Sequence, residues 1–210
     1  MAASGSPSKG RTPSATAEQI LDLAEALIQT RSYSAFSYQD VSDALGLTKA
    51  SIHYHFPSKA ELGVAVVDRY AARFGAALAA LDQDDAKSSM ALLDFYVQPY
   101  LQFAETADRI CLCGALAGEM PALPPEMRTR VERFFTTHHA WLAGILERGE
   151  RRGEFTLSAP ATKTARLVLS ALQGALLVKR TTGDMAQVKD VIAVIKAELT
   201  RDSCRSGRSR

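Results

Sequence analysis

Along almost the whole chain, apolar residues recur at steps of three and four, the repeat that turns one face of a helix toward a core. Ile20, Leu23, Ala24, Leu27 and Ile28 form the first such stripe. Thr16 followed by Gln19 marks its start as a capping box, and it runs to about Thr30. Ser37, with Asp40 at the third position, opens a second, short helix, and Gly46 after Leu45 supplies the left-handed residue that ends it. Thr48 caps a third helix to about His55, which Phe56-Pro57-Ser58 breaks. Ser58 and Glu61 make another capping box, opening a long helix to about Leu81. Val41, Leu45, Leu47 and Ile52 fall on one small apolar seam, and Phe56 packs with Ile52.

From Lys87 onward the pattern stays helical. One helix runs to about Thr106 with Pro99 as a kink, and a short one covers Cys111 to Glu119. A long helix from Pro125 to about Arg152 carries Val131, Phe134, Phe135, His138, Leu142, Ile145 and Leu146 on one face, and Gly153 stops it. Two more follow, Ala161 to Thr181 and Met185 to Arg201. No segment alternates with the period of a strand, and no repeat is visible.

The last two helices carry a second message. From Leu167 to Val178 the chain is apolar almost all round, interrupted by Ser170, Gln173 and Gly174, so this helix is expected to be covered on two sides. Met185, Val188, Ile192, Ile195 and Leu199 alternate in steps of three and four, a coiled-coil-like seam. Both features predict a homodimer; the alternative is one large internal core.

Composition narrows the function classes. Net charge is only +2 over 210 residues, so any attraction to nucleic acid is local. Before residue 63, Lys9, Arg11, Arg31, Lys49 and Lys59 oppose Glu18, Asp22, Glu25, Asp40, Asp43 and Glu61. No acid lies between Asp43 and Glu61, the span holding the third helix. The three cysteines, Cys111, Cys113 and Cys204, give no disulfide framework, and the first residues lack a hydrophobic signal core. Together with the lack of a membrane-length apolar run, this predicts a reducing, cytoplasmic setting.

The third helix is the candidate reading element. Small and cationic residues at its start, Thr48, Lys49, Ala50 and Ser51, precede His53, Tyr54 and His55 one turn later, a set suited to entering the major groove. Lys49 can donate to guanine and Ala50 can approach a thymine methyl. Lys59 stands at the start of the fourth helix, where free N–H groups already favour an anion. His55 either contacts phosphate or closes the turn within the head. The arm at residues 1–14, with Lys9 and Arg11, is either disordered or a minor-groove arm.

The segment SYQDVSDALGLTKASIHYHFPSKAEL, residues 37–62, resembles the TetR family of bacterial transcriptional regulators, and the likeness extends over residues 16–62. The resemblance implies an all-α fold. An N-terminal three-helix helix-turn-helix DNA-binding domain (15–62) would precede a helical ligand-binding and dimerisation domain (63–200), between a flexible arm (1–14) and tail (201–210). It implies a homodimeric repressor on a palindromic operator of double-stranded DNA in the bacterial nucleoid, released by an unknown small-molecule inducer or by modification of Cys111, with no membrane, cofactor or metal. Ser37, Tyr38, Thr48, Lys49, Ala50, Ser51, His53, Tyr54, His55 and Lys59 would contact DNA. The family pattern usually has Tyr where this chain has His53; the exchange bears on contact strength and pH dependence.

A second likeness, to the NemR-like electrophile-responsive branch of that family, lies in residues 111–120, CLCGALAGEM, followed by Leu123, Pro124 and Arg128. It puts Cys111 at the place of a sensing thiol. A helix N-terminus and nearby Arg109 would favour its thiolate; the alternative is that Cys111 and Cys113 are small buried hydrophobes. Lys179 either decorates its helix end or lowers the pKa of Cys111. A ligand pocket would draw its lining from Phe95, Tyr96, Tyr100, Phe103, Phe134, Phe135, His138 and Trp141, most of them also plain core candidates. Cys111 and Cys113 with His138 or His139 match no zinc spacing. The rival classes are an electrophile-processing enzyme, for which no nucleophile elbow, phosphate loop or acid–base pair is present, and a DNA-binding protein without a sensor.

Overall fold

The computed structural model describes residues 14–82 and 86–201; residues 1–13 of the arm and 202–210 of the tail, with Cys204, lie outside them, as do the expectations for them. The described residues form α1 (Ala15–Arg31), α2 (Tyr38–Leu45), α3 (Lys49–His55), α4 (Lys59–Asp82), α5 (Ser89–Ala104), α6 (Leu112–Ala117), α7 (Pro125–Arg151), α8 (Ala161–Thr182) and α9 (Ala186–Leu199), with a 3-10 turn at Met120–Ala122. No strand occurs among them. The fold is all-α, as the apolar periodicity requires.

Local chemistry sets most of the boundaries. The backbone N–H and hydroxyl of Ser37 both donate to Asp40 at 2.7 Å, so α2 starts there. Gly46 ends it in the left-handed region (φ 64°), and Thr48 Oγ1 accepts the Ser51 N–H at 3.2 Å to open α3. Two boundaries differ from expectation. The first helix is capped by Ser14, whose hydroxyl accepts the Ala17 N–H, not by Thr16 and Gln19. That register buries Ala17 and sets Glu18 against Arg69. The helix expected to reach Glu119 stops at Ala117 as α6, and a separate 3-10 turn follows at Met120–Ala122, because Pro121 cannot continue the backbone ladder.

Helices α1 to α3 make a small head around Ile20, Ile28, Phe36, Val41 and Ile52, all buried. Helix α4 leads from it into a body in which α7 and α8 pack together and α5, α6 and α9 close the sides. Head and body are tied at the end of α1. Glu119 accepts the N–H groups of Tyr33 (2.7 Å) and Ser34 (2.8 Å), just after Ser32, which carries a positive φ of 82°. Burial raises the Glu119 pKa, but hydrogen bonds from Ser34, Tyr33 and Ser32 outweigh it and leave the carboxyl below its usual range. Arg180 donates to the Thr30 carbonyl, and Arg109 to Gln29. Such ties matter because Ser32 holds a conformation that L residues rarely adopt.

In α8 one side is buried within the protomer (Val168, Leu169, Leu172, Ala175, Leu176), while Leu167, Leu177 and Val178 stand exposed. In α9, Val188, Ile192 and Leu199 face inward and Ile195 is half-buried, but Met185 leaves the expected seam and is exposed, as is Val194. A groove between α8 and α9 is lined by Leu167, Ala171, Val191 and Val194. The seam therefore serves the protomer's own core, and the uncovered apolar face is a different set of residues.

Candidate nucleic-acid interface and ligand cavity

The start of α3 projects from the head. Thr48, Lys49, Ala50, His53 and Tyr54 are exposed, with Tyr54 78% accessible, and Ser51 and His55 are half-buried. The helix is held from below. Ser42 Oγ donates to the Leu47 carbonyl at 2.5 Å, closing the turn, and Ile52 is fully buried. The Tyr54 and His55 rings meet edge to face at 5.1 Å between centroids.

Three expected contacts have other partners. Tyr38 is half-buried and its hydroxyl donates to the Phe56 carbonyl at 2.7 Å; burial, with Glu61 nearby, pushes its pKa up to about 12. Its ring braces His53, edge to face at 4.8 Å. The ammonium of Lys59 lies over the rings of Tyr33 (4.5 Å) and Phe36 (4.6 Å), and burial lowers its pKa. Ser37 spends its proton on Asp40, so it has no donor left for a phosphate in this arrangement. The turn-closing histidine is His53, whose Nδ1 pairs with the Pro57 carbonyl at 3.0 Å, rather than His55. That bond places the Nδ1 proton toward the carbonyl and leaves Nε2 outward.

In the body, a cavity of about 400 Å3 opens among α1, α4 and α5. Phe95, Tyr96 and Phe103 line it, as expected. Tyr100 lies behind Tyr96, sharing a hydrogen bond with it, and accepts from Gln173 Nε2 at 3.0 Å. Trp141 stacks on Tyr96 at 5.4 Å. Phe134 and His138 belong to a neighbouring aromatic cluster with Tyr70 and Phe74 and face a second hollow between α4 and α7. Phe135 lines neither; it borders a hollow between α6 and α8. The sequence reading missed the polar part of the first cavity: Glu25, Gln29 and Arg73, with Arg109 at the mouth. The sequence offered one signal for it, Glu25 and Gln29 standing four apart beside the apolar positions Ala24 and Ile28.

Cys111 is 4% exposed and accepts a hydrogen bond from the Tyr70 hydroxyl at 3.6 Å. Cys113 is fully buried, and burial pushes its pKa well up, the behaviour of a small hydrophobe. Neither expected cation is turned to Cys111. Arg109 donates twice to Gln29 Oε1. Lys179, buried in α8, donates to the carbonyls of Phe103, Thr106 and Ala107. It decorates the end of α5, not of its own helix. Among the described residues no three His, Cys, Asp or Glu side chains gather in a way that would hold a metal.

His138 is 5% exposed; its Nδ1 takes the Tyr96 hydroxyl at 3.1 Å, and burial pushes its pKa down to about 4. The unfolded chain therefore binds a proton from about pH 6.5 downward that the folded protein refuses until about pH 4. Stability from this group is present above pH 6.5 and falls across that window, by about 3 kcal/mol in all. The variant H138F, which keeps a ring against Phe134, is expected to flatten this part of the pH profile in urea unfolding at pH 7 and pH 4.5. An unchanged profile would assign the acid sensitivity to other groups.

The family model for bacterial regulatory proteins, tetR family, matches residues 20–66, and that for the tetracyclin repressor-like C-terminal domain matches residues 90–195. A TetR-family transcriptional regulator from Agrobacterium tumefaciens is 32% identical, with a TM-score of 0.83 over 89% of this chain and 98% of that one. A TetR transcriptional regulator from Legionella pneumophila is 30% identical, with a TM-score of 0.76 over 90% of this chain and all of that one (100%). The HTH-type transcriptional repressor NemR of Escherichia coli K12 is 24% identical over 86% of this chain and 92% of its own length.

Proposed function

The chain belongs to the TetR family of bacterial regulatory proteins, a DNA-binding transcriptional regulator, and from that premise we propose that it is a homodimeric repressor. Two copies read a palindromic operator in the bacterial cytoplasm with the heads at residues 15–62, and a small molecule in the body at 63–200 releases them. The observation that carries this is the start of α3: Thr48, Lys49, Ala50 and Tyr54 stand exposed on a helix with no acid between Asp43 and Glu61. Lys49 and Ala50 face base edges, while Ser51, Tyr54, His53 Nε2 and His55 meet phosphates. Tyr38, Ser37 and Lys59 act by fixing the pose of α3. The E. coli relative's name supports the repressing sign.

Twin heads must sit about 34–36 Å apart, or a multiple, to meet successive major grooves. A ligand releases the operator only by binding the two arrangements unequally. Release by a ligand is favoured over modification of Cys111, because that sulfur is buried beneath Tyr70 and both nearby cations are engaged elsewhere. Tyr70, whose hydroxyl meets that sulfur, itself lines the cavity.

The test is K49A. Operator affinity, read by fluorescence anisotropy on a site selected from random duplex DNA, is expected to fall roughly tenfold or more, while sedimentation still gives a dimer. Unchanged affinity would take Lys49 off the contact surface.

A further inference from the structure

We propose that the cavity among α1, α4 and α5 takes an organic monoanion, a carboxylate carried on an apolar body, and that Arg109 is the group that recognises it. The inference rests on the ligand-released regulator above and names its ligand class. The apolar wall is Phe74 and Leu78 from α4 with Phe95, Tyr96, Pro99 and Phe103 from α5. The polar side is asymmetric. Glu25 is already neutralised: one oxygen takes Arg73 at 2.6 Å and the other Arg69 at 3.2 Å. Arg109 is held by an amide instead. Its Nε (3.0 Å) and Nη2 (2.5 Å) converge on the single oxygen of Gln29. A guanidinium fork matches the two oxygens of a carboxylate, and the charged pair is much stronger than the bond to a neutral amide. A neutral ligand gains only apolar burial here. A cation meets Arg73 and Arg109 and finds the Glu25 carboxylate occupied.

The exchange has a mechanical consequence. Gln29 lies on α1, in the head, and is 1% exposed. The loop that carries Arg109 is anchored to the body by Lys179 through the carbonyls of Thr106 and Ala107. A carboxylate that takes the Nε–Nη2 edge of Arg109, the edge now on Gln29, therefore unties α1 from a loop that stays in place. Anion binding and the operator-binding pose then compete for one guanidinium, which is the unequal affinity that release requires.

The test uses the full chain and three matched probes: 3-phenylpropanoate, 3-phenylpropanamide and 3-phenylpropylammonium. Binding is read from the fluorescence of Trp141, the single tryptophan, which stacks on the cavity residue Tyr96, and from the shift in thermal unfolding. The carboxylate is expected to bind about tenfold tighter than the amide, with the ammonium weakest. R109Q is expected to erase that preference while keeping amide binding. Q29E, which gives Arg109 a resident carboxylate, is expected to lose the anion yet retain operator binding. Equal binding of carboxylate and amide, preference for the ammonium, or an anion preference that survives in R109Q would each overturn the proposal. Operator binding is measured separately on the same protein. Operator binding without anion preference overturns the ligand class alone; no operator binding overturns the regulator reading, and the probe titration still reports on the cavity.

Discussion

The double variant L167E/V194E is expected to be monomeric and to bind the operator on the order of 100-fold or more weakly than the parent. Leu167 is 68% exposed on α8 and Val194 61% exposed on α9, on the groove between those helices. Large apolar side chains gathered on one face of a protomer mark a surface that another molecule covers. Two-fold symmetry would place each introduced carboxylate in the interface twice, and an unpaired buried charge costs several kcal/mol. In a separated protomer the same carboxylates face water, so the helices themselves should survive. The affinity loss follows because the second half-site contact then ceases to be intramolecular. Sedimentation, circular dichroism and operator anisotropy check the three parts of this result. A variant that stays dimeric would move the interface to another face.

The variant K179M is expected to lose about 3 kcal/mol of stability, read from the urea midpoint. Lys179 is 1% exposed, and burial lowers its pKa, with Asp108 acting the other way. Its ammonium satisfies the carbonyls of Phe103, Thr106 and Ala107 at the end of α5, where the helix dipole favours a cation. Methionine fills the same space and supplies no donor, so buried carbonyls lose their partner. A change under about 0.5 kcal/mol would mean that water replaces the ammonium at no cost. The variant also separates two readings of this residue, since a lysine serving Cys111 would leave the fold undisturbed when removed.

The head was legible because its signals are local. Ser37 with Asp40, Gly46 and Thr48 each decide a helix end within four residues, and the structure uses each of them so. The start of α1 was not, because Ser14 and Thr16 are equally good caps and the choice turns on what Ala17 and Glu18 meet elsewhere. The same limit governs the site residues. Lys59 reads as an anion grip by position, but Tyr33 and Phe36 come under its ammonium only in three dimensions. His53 and His55 are two residues apart in the last turn of α3, and which of them reaches the Pro57 carbonyl depends on the direction in which the chain leaves the helix at Phe56. In the body, aromatic residues outnumber what one cavity needs. Phe95, Tyr96 and Phe103 share one face of α5 and line it, whereas Phe134 and His138 on α7 fill the core beside it. Gln29 and Arg109 lie far apart in sequence, and no spacing rule pairs them.

Operator reading by two copies of the chain is tested by selecting bound sequences from random duplex DNA with the purified full chain, read by sequencing. The expected result is a two-fold palindrome whose half-sites are centred about one helical turn, or a multiple, apart, with binding that falls steeply with salt. Failure to enrich any sequence at low salt, with the protein folded and reduced, would contradict it.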